Sequence, residues 1–242
     1  MSHLIILSLM AVGLAAGGCG MSDREQRNRD DWSSARAVMI ERDLRGRDVT
    51  NAAVLAAMEA VPRHLFVPVH ERSFAYADHP LPIGEGQTIS QPYIVAAMTE
   101  LVQPKPGDVV LEIGTGSGYQ AAVLAKIVKQ VFTIEIVEPL ARDAKERLAA
   151  MGYSNVTVRA GDGYLGWPEQ APFDGIVVTC GAEHVPQPLV DQLKPGGRMV
   201  TPVGAINEVQ SLLLIQKDAT GHVTSRDVMA VRFVPLTRPP RP

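Results

Sequence analysis

The chain has 242 residues, 46% of them apolar and 20% charged, with a formal net charge of −3. That length suits one α/β domain of the open-sheet kind, and the apolar share excludes a wholly disordered chain. The near-neutral balance, with no long basic stripe, argues against nucleic acid as a partner, because phosphates call for a neutralising patch.

At the N-terminus, Leu4 to Ala16 is an apolar run of signal-peptide length, too short for a comfortable membrane span. Ala16-Gly17-Gly18-Cys19 resembles the box before a lipidated cysteine, although no Lys or Arg precedes the run and Ala16 stands where Leu is usual. Met21 opens a polar segment that would serve equally as the start of the protein. Two readings follow, an exported chain anchored through Cys19 or an over-long start. In both, residues 1–20 stand outside the fold. Residues 21–242 then form a single domain, with a helical, substrate-side region over 32–104 and an α/β core over 105–242. The second cysteine, Cys180, is far from Cys19 and in no CxxC pair, so neither a disulfide framework nor a metal site is expected. It reads as a small buried side chain.

Helices are expected over Trp32 to Gly46 and Asn51 to Val61. The second carries Val54, Leu55, Met58 and Val61 on one face, with Asp48 or Thr50 as its cap and Pro62 as its end. Arg63 to Ser90 is rich in Pro, Gly and aromatics and shows no sustained period, the mark of a stretch that wraps a surface or lines a site. Ser90-Gln91-Pro92 opens a helix that runs through Leu101. Strands and helices then alternate. Strands are expected over Val109 to Ile113, Val131 to Ile136, Val156 to Ala160, Phe173 to Thr179 and Arg198 to Val203. Helices over Gln120 to Ile127, Pro139 to Met151 and Pro188 to Leu193 lie between them. Gln210 to Gln216 and Asp227 to Phe233 form a closing hairpin through Gly221. The alternation predicts a Rossmann-like α/β fold: a mostly parallel sheet, helices on both faces and an antiparallel edge hairpin.

The sharpest local signal is Glu112-Ile113-Gly114-Thr115-Gly116-Ser117-Gly118, set between a strand and a helix. Glycines there let backbone amides approach a ligand with no Cβ in the way. A dinucleotide fingerprint would need glycine where Tyr119 stands. The spacing instead resembles the first motif of the S-adenosylmethionine methyltransferases. Glu135, at the end of the second strand, is placed to accept ribose hydroxyls. Asp162, in Gly161-Asp162-Gly163 after the third strand, would accept from an adenine amine or simply form a turn.

Longer stretches carry a narrower resemblance. They are Val61-Pro62-Arg63 with Phe66-Val67-Pro68, then Gly86-Gln87-Thr88-Ile89-Ser90-Gln91-Pro92, then Lys194-Pro195-Gly196-Gly197-Arg198 and Val231-Arg232-Phe233-Val234-Pro235-Leu236-Thr237. From about Arg36 to Thr237 the chain resembles bacterial protein-L-isoaspartate O-methyltransferases. The resemblance implies methyl transfer from S-adenosylmethionine to the free α-carboxylate of isoaspartyl residues in damaged proteins and peptides. It makes Ser90 the active-site residue, with Thr88 and Ile89 beside it at the acceptor. It assigns the donor to Glu112, Gly114, Thr115, Gly116, Ser117, Gly118, Glu135, Asp162, Gly163 and Thr237. Ser90 is equally placed to cap the helix that follows it. Gln91, Tyr93 and Val95 stand where many relatives have Ala and two histidines, so no role passes to a histidine here.

A carboxylate is already a nucleophile at neutral pH, and this chemistry asks for alignment in a dry site rather than a general base. No Ser/His/Asp constellation is visible, in keeping with that demand; His64, His79 and His184 read as ordinary histidines. An acceptor in arbitrary sequence would lie as an extended peptide, with Leu81 to Thr88 and Val203 to Val209 as candidate walls. Base methylation is disfavoured because Thr179-Cys180-Gly181-Ala182 replaces an Asn/Asp-Pro-Pro-Tyr-type motif. A monomer in the cytoplasm, where the donor is made, is the expected state.

Overall fold

The computed structural model describes residues 23–206 and 208–238. Cys19 and the export signal or alternative start lie outside them. Helix α1 (Asp23–Val38) passes directly into a π-wound turn, Met39–Arg45, which buries Met39, Ile40 and Leu44. It begins well before Trp32 because its first half is polar, and hydrophobic periodicity is blind to such a segment. Trp32 stacks on His64, with ring centroids 4.9 Å apart, and His64 Nδ1 lies 2.8 Å from the Tyr76 hydroxyl. Burial in that stack, with Arg72 and Arg36 nearby, holds the imidazole pKa down at about 4.

Helix α2 (Ala52–Ala60) is capped by Asn51, not by Asp48 or Thr50. Asn51 Oδ1 accepts from the amides of Ala53 at 2.9 Å and Val54 at 3.2 Å. The two expected caps are engaged elsewhere. Asp48 accepts from the Tyr93 hydroxyl, and Thr50 donates to Glu100.

Residues 63–90 are more ordered than their composition suggests. Two 3₁₀ turns, Arg63–Leu65 and Val69–Phe74, precede an antiparallel hairpin of β1 (Leu81–Gly84) and β2 (Gln87–Ile89). Strands of four and three residues are too short to display a period. Arg63 is fully buried, donating from Nε to the Ala75 carbonyl and lying over the Tyr119 ring; burial pushes its pKa down to about 10.

Helix α3 (Pro92–Val102) leads into the main sheet. Its elements are β3 (Val109–Ile113), α4 (Tyr119–Ala125), β4 (Gln130–Glu135), α5 (Glu138–Ala150), β5 (Val156–Ala160) and β6 (Phe173–Val178). Then come α6 (Gln187–Gln192), β7 (Leu193–Val203), β8 (Gln210–Lys217) and β9 (Val223–Val231). The strand order is β5-β4-β3-β6-β7-β8-β9, parallel through β7 and antiparallel beyond it. Strand β7 starts at Leu193 instead of Arg198, since Leu193 already pairs with Phe173 before a shift in register. Strand β9 starts at Val223 instead of Asp227 and ends two residues early. It is an exposed edge with no apolar alternation to announce it.

Alternate residues of the strands face two apolar layers. Val110, Val131, Val177 and Val200 pack with Met58, Phe66 and Leu124. Leu111, Ile113, Ile134 and Phe173 pack on the other face with Leu189. Among the described residues no helix is long and apolar enough to cross a membrane. Replacing the α2 cap, Asn51→Ala, is expected to cost about 1 kcal/mol, measured as a lower urea midpoint with an unchanged slope.

Candidate active site

The chain leaves β3 to build β4 and β5 on one side, then returns to place β6 on the other. The carboxyl ends of β3 and β6 therefore part where the crossovers diverge, and open α/β sheets hold their ligands at such a point. The loop from Gly114 to Gly118 lies there. Gly114 has φ 93°, and a Cβ on it would sit 2.5 Å from Thr179 Oγ1. Gly118 serves packing instead: with φ 87°, it leads into α4, and a Cβ there would press on Leu148 at 3.1 Å.

Glu135 closes β4 and holds the loop. Its Oε2 accepts from the Gly116 amide at 2.8 Å and its Oε1 from the Val137 amide at 3.0 Å. Each oxygen keeps lone-pair capacity for a ligand. Deeper in the cleft, the Thr133 hydroxyl donates to Glu112 Oε2 at 2.5 Å. Thr133 has one hydrogen to give, so Thr115, 2.6 Å away, donates to Thr133. Glu112 is fully buried and its Oε1 has no partner. Burial, reinforced by the Glu135 charge, pushes its pKa up to about 8, against the pull of Thr133 and the nearby Ala121 amide.

One cleft gathers most of the expected residues: Thr88, Ile89, Ser90, Glu112, Gly114, Thr115, Gly116, Ser117, Glu135, Gly163 and Thr237. Thr237 reaches it because the tail beyond β9 folds over the end of β6, where the Leu236 amide donates to the Gly181 carbonyl at 2.7 Å. Gly118 and Asp162 stand outside the cleft wall. Asp162 forms the turn its glycine neighbours suggest, with Oδ1 accepting from the Tyr164 amide at 2.9 Å and Oδ2 paired with Arg238 at 3.1 Å. Cys180 is buried at the cleft floor, its thiol pKa raised by burial and by the Glu135 and Glu112 carboxyls.

A second cleft adjoins the first. Val209 and Thr88 line it, as do Arg232 and Phe233. The two share Thr88, Ser90, Thr179 and Val234. Thr179 was missed in the sequence; its only signal is its position at the carboxyl end of a central strand. The structure removes one of the two roles weighed for Ser90, that of helix cap. Asp78 caps α3, with Oδ1 accepting from the Tyr93 amide at 3.0 Å and Oδ2 from the Gln91 side chain at 2.7 Å. Ser90 is not the cap.

Among the described residues, the first cleft is lined by two carboxyl groups and by no Lys or Arg. With Glu112 Oε1 unpartnered, such a lining suits a cationic, hydroxyl-bearing ligand and opposes a phosphate. The residues thus fit S-adenosylmethionine. The buried acid also bears on stability. Native Glu112 keeps its proton up to about pH 8, whereas its unperturbed value is 4.5, so stability falls as pH rises through that window. Glu112→Gln is therefore expected to gain thermal stability over wild type progressively from pH 4.5 to 8 and evenly above. Calorimetric scans would show roughly 2–4 °C for each kcal/mol relieved.

Comparison with known proteins agrees with this geometry. The profile of the family described as Protein-L-isoaspartate(D-aspartate) O-methyltransferase matches residues 34–240. The protein-L-isoaspartate O-methyltransferase 2 of Syntrophobacter fumaroxidans is 53% identical over 241 residues, covering 96% of this chain and 95% of that one. Protein-L-isoaspartate O-methyltransferase 1 of Nitrosospira multiformis is 62% identical over 191 residues, covering 79% of this chain and 81% of its own. A solved protein-L-isoaspartate O-methyltransferase superposes with TM-score 0.74 at 31% identity, over 83% of this chain and 65% of that one. A Plasmodium falciparum β-aspartate methyltransferase in complex with S-adenosyl-L-homocysteine superposes with TM-score 0.73 at 25% identity, over 84% and 99%. The chain belongs to the protein-L-isoaspartate O-methyltransferase family.

Proposed function

We propose that the protein transfers the methyl group of S-adenosylmethionine to the free α-carboxylate of L-isoaspartyl residues in damaged proteins and peptides, opening their repair through a succinimide. The observation that carries this reading is the meeting of a cation-suited cleft with a second groove at Ser90. The donor supplies an electrophilic methyl group when bound. Glu135 would receive its ribose hydroxyls and the amides around Gly114 and Gly116 its polar edge, while the donor's positive charge would favour the ionised form of Glu112 and be met by it. Gly163 and Thr237 would close the adenine side, with Asp162 fixing the turn behind Gly163.

Ser90 and Thr88 would orient the acceptor. Transfer to a carboxylate forms a C–O bond and breaks a C–S bond, whose electron pair stays with sulfur, so no proton has to move. The chain needs hydroxyls to aim the oxygen and apolar walls to exclude water. It needs no general base. Methoxide leaves an ester far more readily than oxide leaves a carboxylate, so the following backbone amide nitrogen can attack the ester carbonyl, lose its proton and close the ring with release of methanol. The groove between Thr88 and Val209 suits an extended peptide read mainly through its backbone. On this reading the enzyme works as a monomer in the cytoplasm, where the donor is made, on protein substrates and without nucleic acid.

Two measurements test the assignment. Purified protein with radiolabelled donor is expected to esterify an isoaspartyl peptide and to spare its normal aspartyl counterpart; equal labelling of both would sink the reading. Ser90→Ala should lower kcat/KM for the peptide roughly 10- to 100-fold while S-adenosylhomocysteine affinity stays within about 2-fold. Glu135→Ala should do the reverse at the donor side, weakening S-adenosylhomocysteine binding by about 10-fold or more in calorimetry.

A further inference from the structure

The residues common to both clefts are Thr88, Ser90, Thr179 and Val234, and three of the four carry hydroxyls. None is charged. An anionic oxygen brought to this junction needs donors, and hydroxyls are the side-chain donors on offer. Thr88 and Ser90 come from the hairpin side of the junction. Thr179 comes from a different element, directly after the central strand β6.

The Thr179 hydroxyl lies 2.9 Å from the Ile113 carbonyl and 2.7 Å from the Gly114 carbonyl, and it has one hydrogen for both. The Ile113 carbonyl already accepts the Thr179 backbone amide at 2.9 Å. Only the Gly114 carbonyl depends on the hydroxyl. Rotation of that one hydrogen toward a carboxylate exchanges a neutral hydrogen bond for a charge-assisted one, which is about twice as strong.

We infer that Thr179 is a catalytic residue in this enzyme: its hydroxyl donates to the acceptor carboxylate alongside Ser90, so that the two side chains hold one carboxyl where the clefts meet. The same hydroxyl touches the Gly114 carbonyl of the glycine loop. The inference rests on the acceptor assignment proposed above.

The test compares wild type, Thr179→Val, Thr179→Ser and the double variant Ser90→Ala with Thr179→Val, using an isoaspartyl peptide and S-adenosylhomocysteine. The valine variant should lose roughly 10- to 100-fold in kcat/KM for the peptide while binding S-adenosylhomocysteine within about 2-fold of wild type. The serine variant should recover most of the loss. The double variant should lose less than the product of the two single losses, as expected for side chains sharing one partner. Wild-type activity in the valine variant would overturn the inference. So would an equal fall in S-adenosylhomocysteine affinity and kcat/KM, the mark of a hydroxyl that only props the loop. A wild type inert toward the peptide would remove the acceptor assignment and this inference together. A fully active valine variant would remove this inference alone.

Discussion

The grip of Glu135 on the Gly116 amide organises the site. It ties the end of β4 to the loop leaving β3, so two adjacent strands and the turn between them form one rigid corner. The corner can be this tight because Gly114 and Gly116 have no side chains; a Cβ at Gly114 would run into Thr179. With the backbone fixed, the carboxyls of Glu112 and Glu135 are placed in a wall that no Lys or Arg neutralises. The ligand class follows from that imbalance.

The burial of Glu112 is the cost of this arrangement. A carboxyl with one oxygen unpartnered at the centre of a sheet destabilises the fold above the pKa of an ordinary glutamate. Its hydroxyl chain through Thr133 and Thr115 supports only the other oxygen. Such local loss is expected where a sequence departs from packing logic at a working site. Ser90 tells a similar story. A residue well placed in sequence to cap α3 leaves that task to Asp78, twelve positions earlier in the chain, and faces both clefts instead.

Much of the core was legible from local patterns. The bounds of β3 follow from a short apolar run and those of β5 from alternating valines, and the glycine loop and Glu135 follow from their place at strand ends. Ser90 and Thr237 needed resemblance, because nothing in their local sequence places them at the cleft they line. Contacts between distant residues were not legible at all. The cap on α2 went to Asn51 because Tyr93 and Glu100 hold Asp48 and Thr50, and no local rule foresees those partners. Thr179 lies 65 residues from the glycine whose carbonyl it touches. The β1–β2 hairpin escaped because seven residues of strand cannot show a period.

That hairpin joins the two halves of the site. Ile83 on one of its strands lies against Gly116, within 3.3 Å of where a Cβ would stand, while Thr88 on the other borders both clefts. The exposed tip residue, Glu85, already occupies a left-handed conformation at φ 53° with a full side chain. A fluorophore attached there would sit at the end of a hairpin that borders both clefts, so a single optical signal would report on the filling of either.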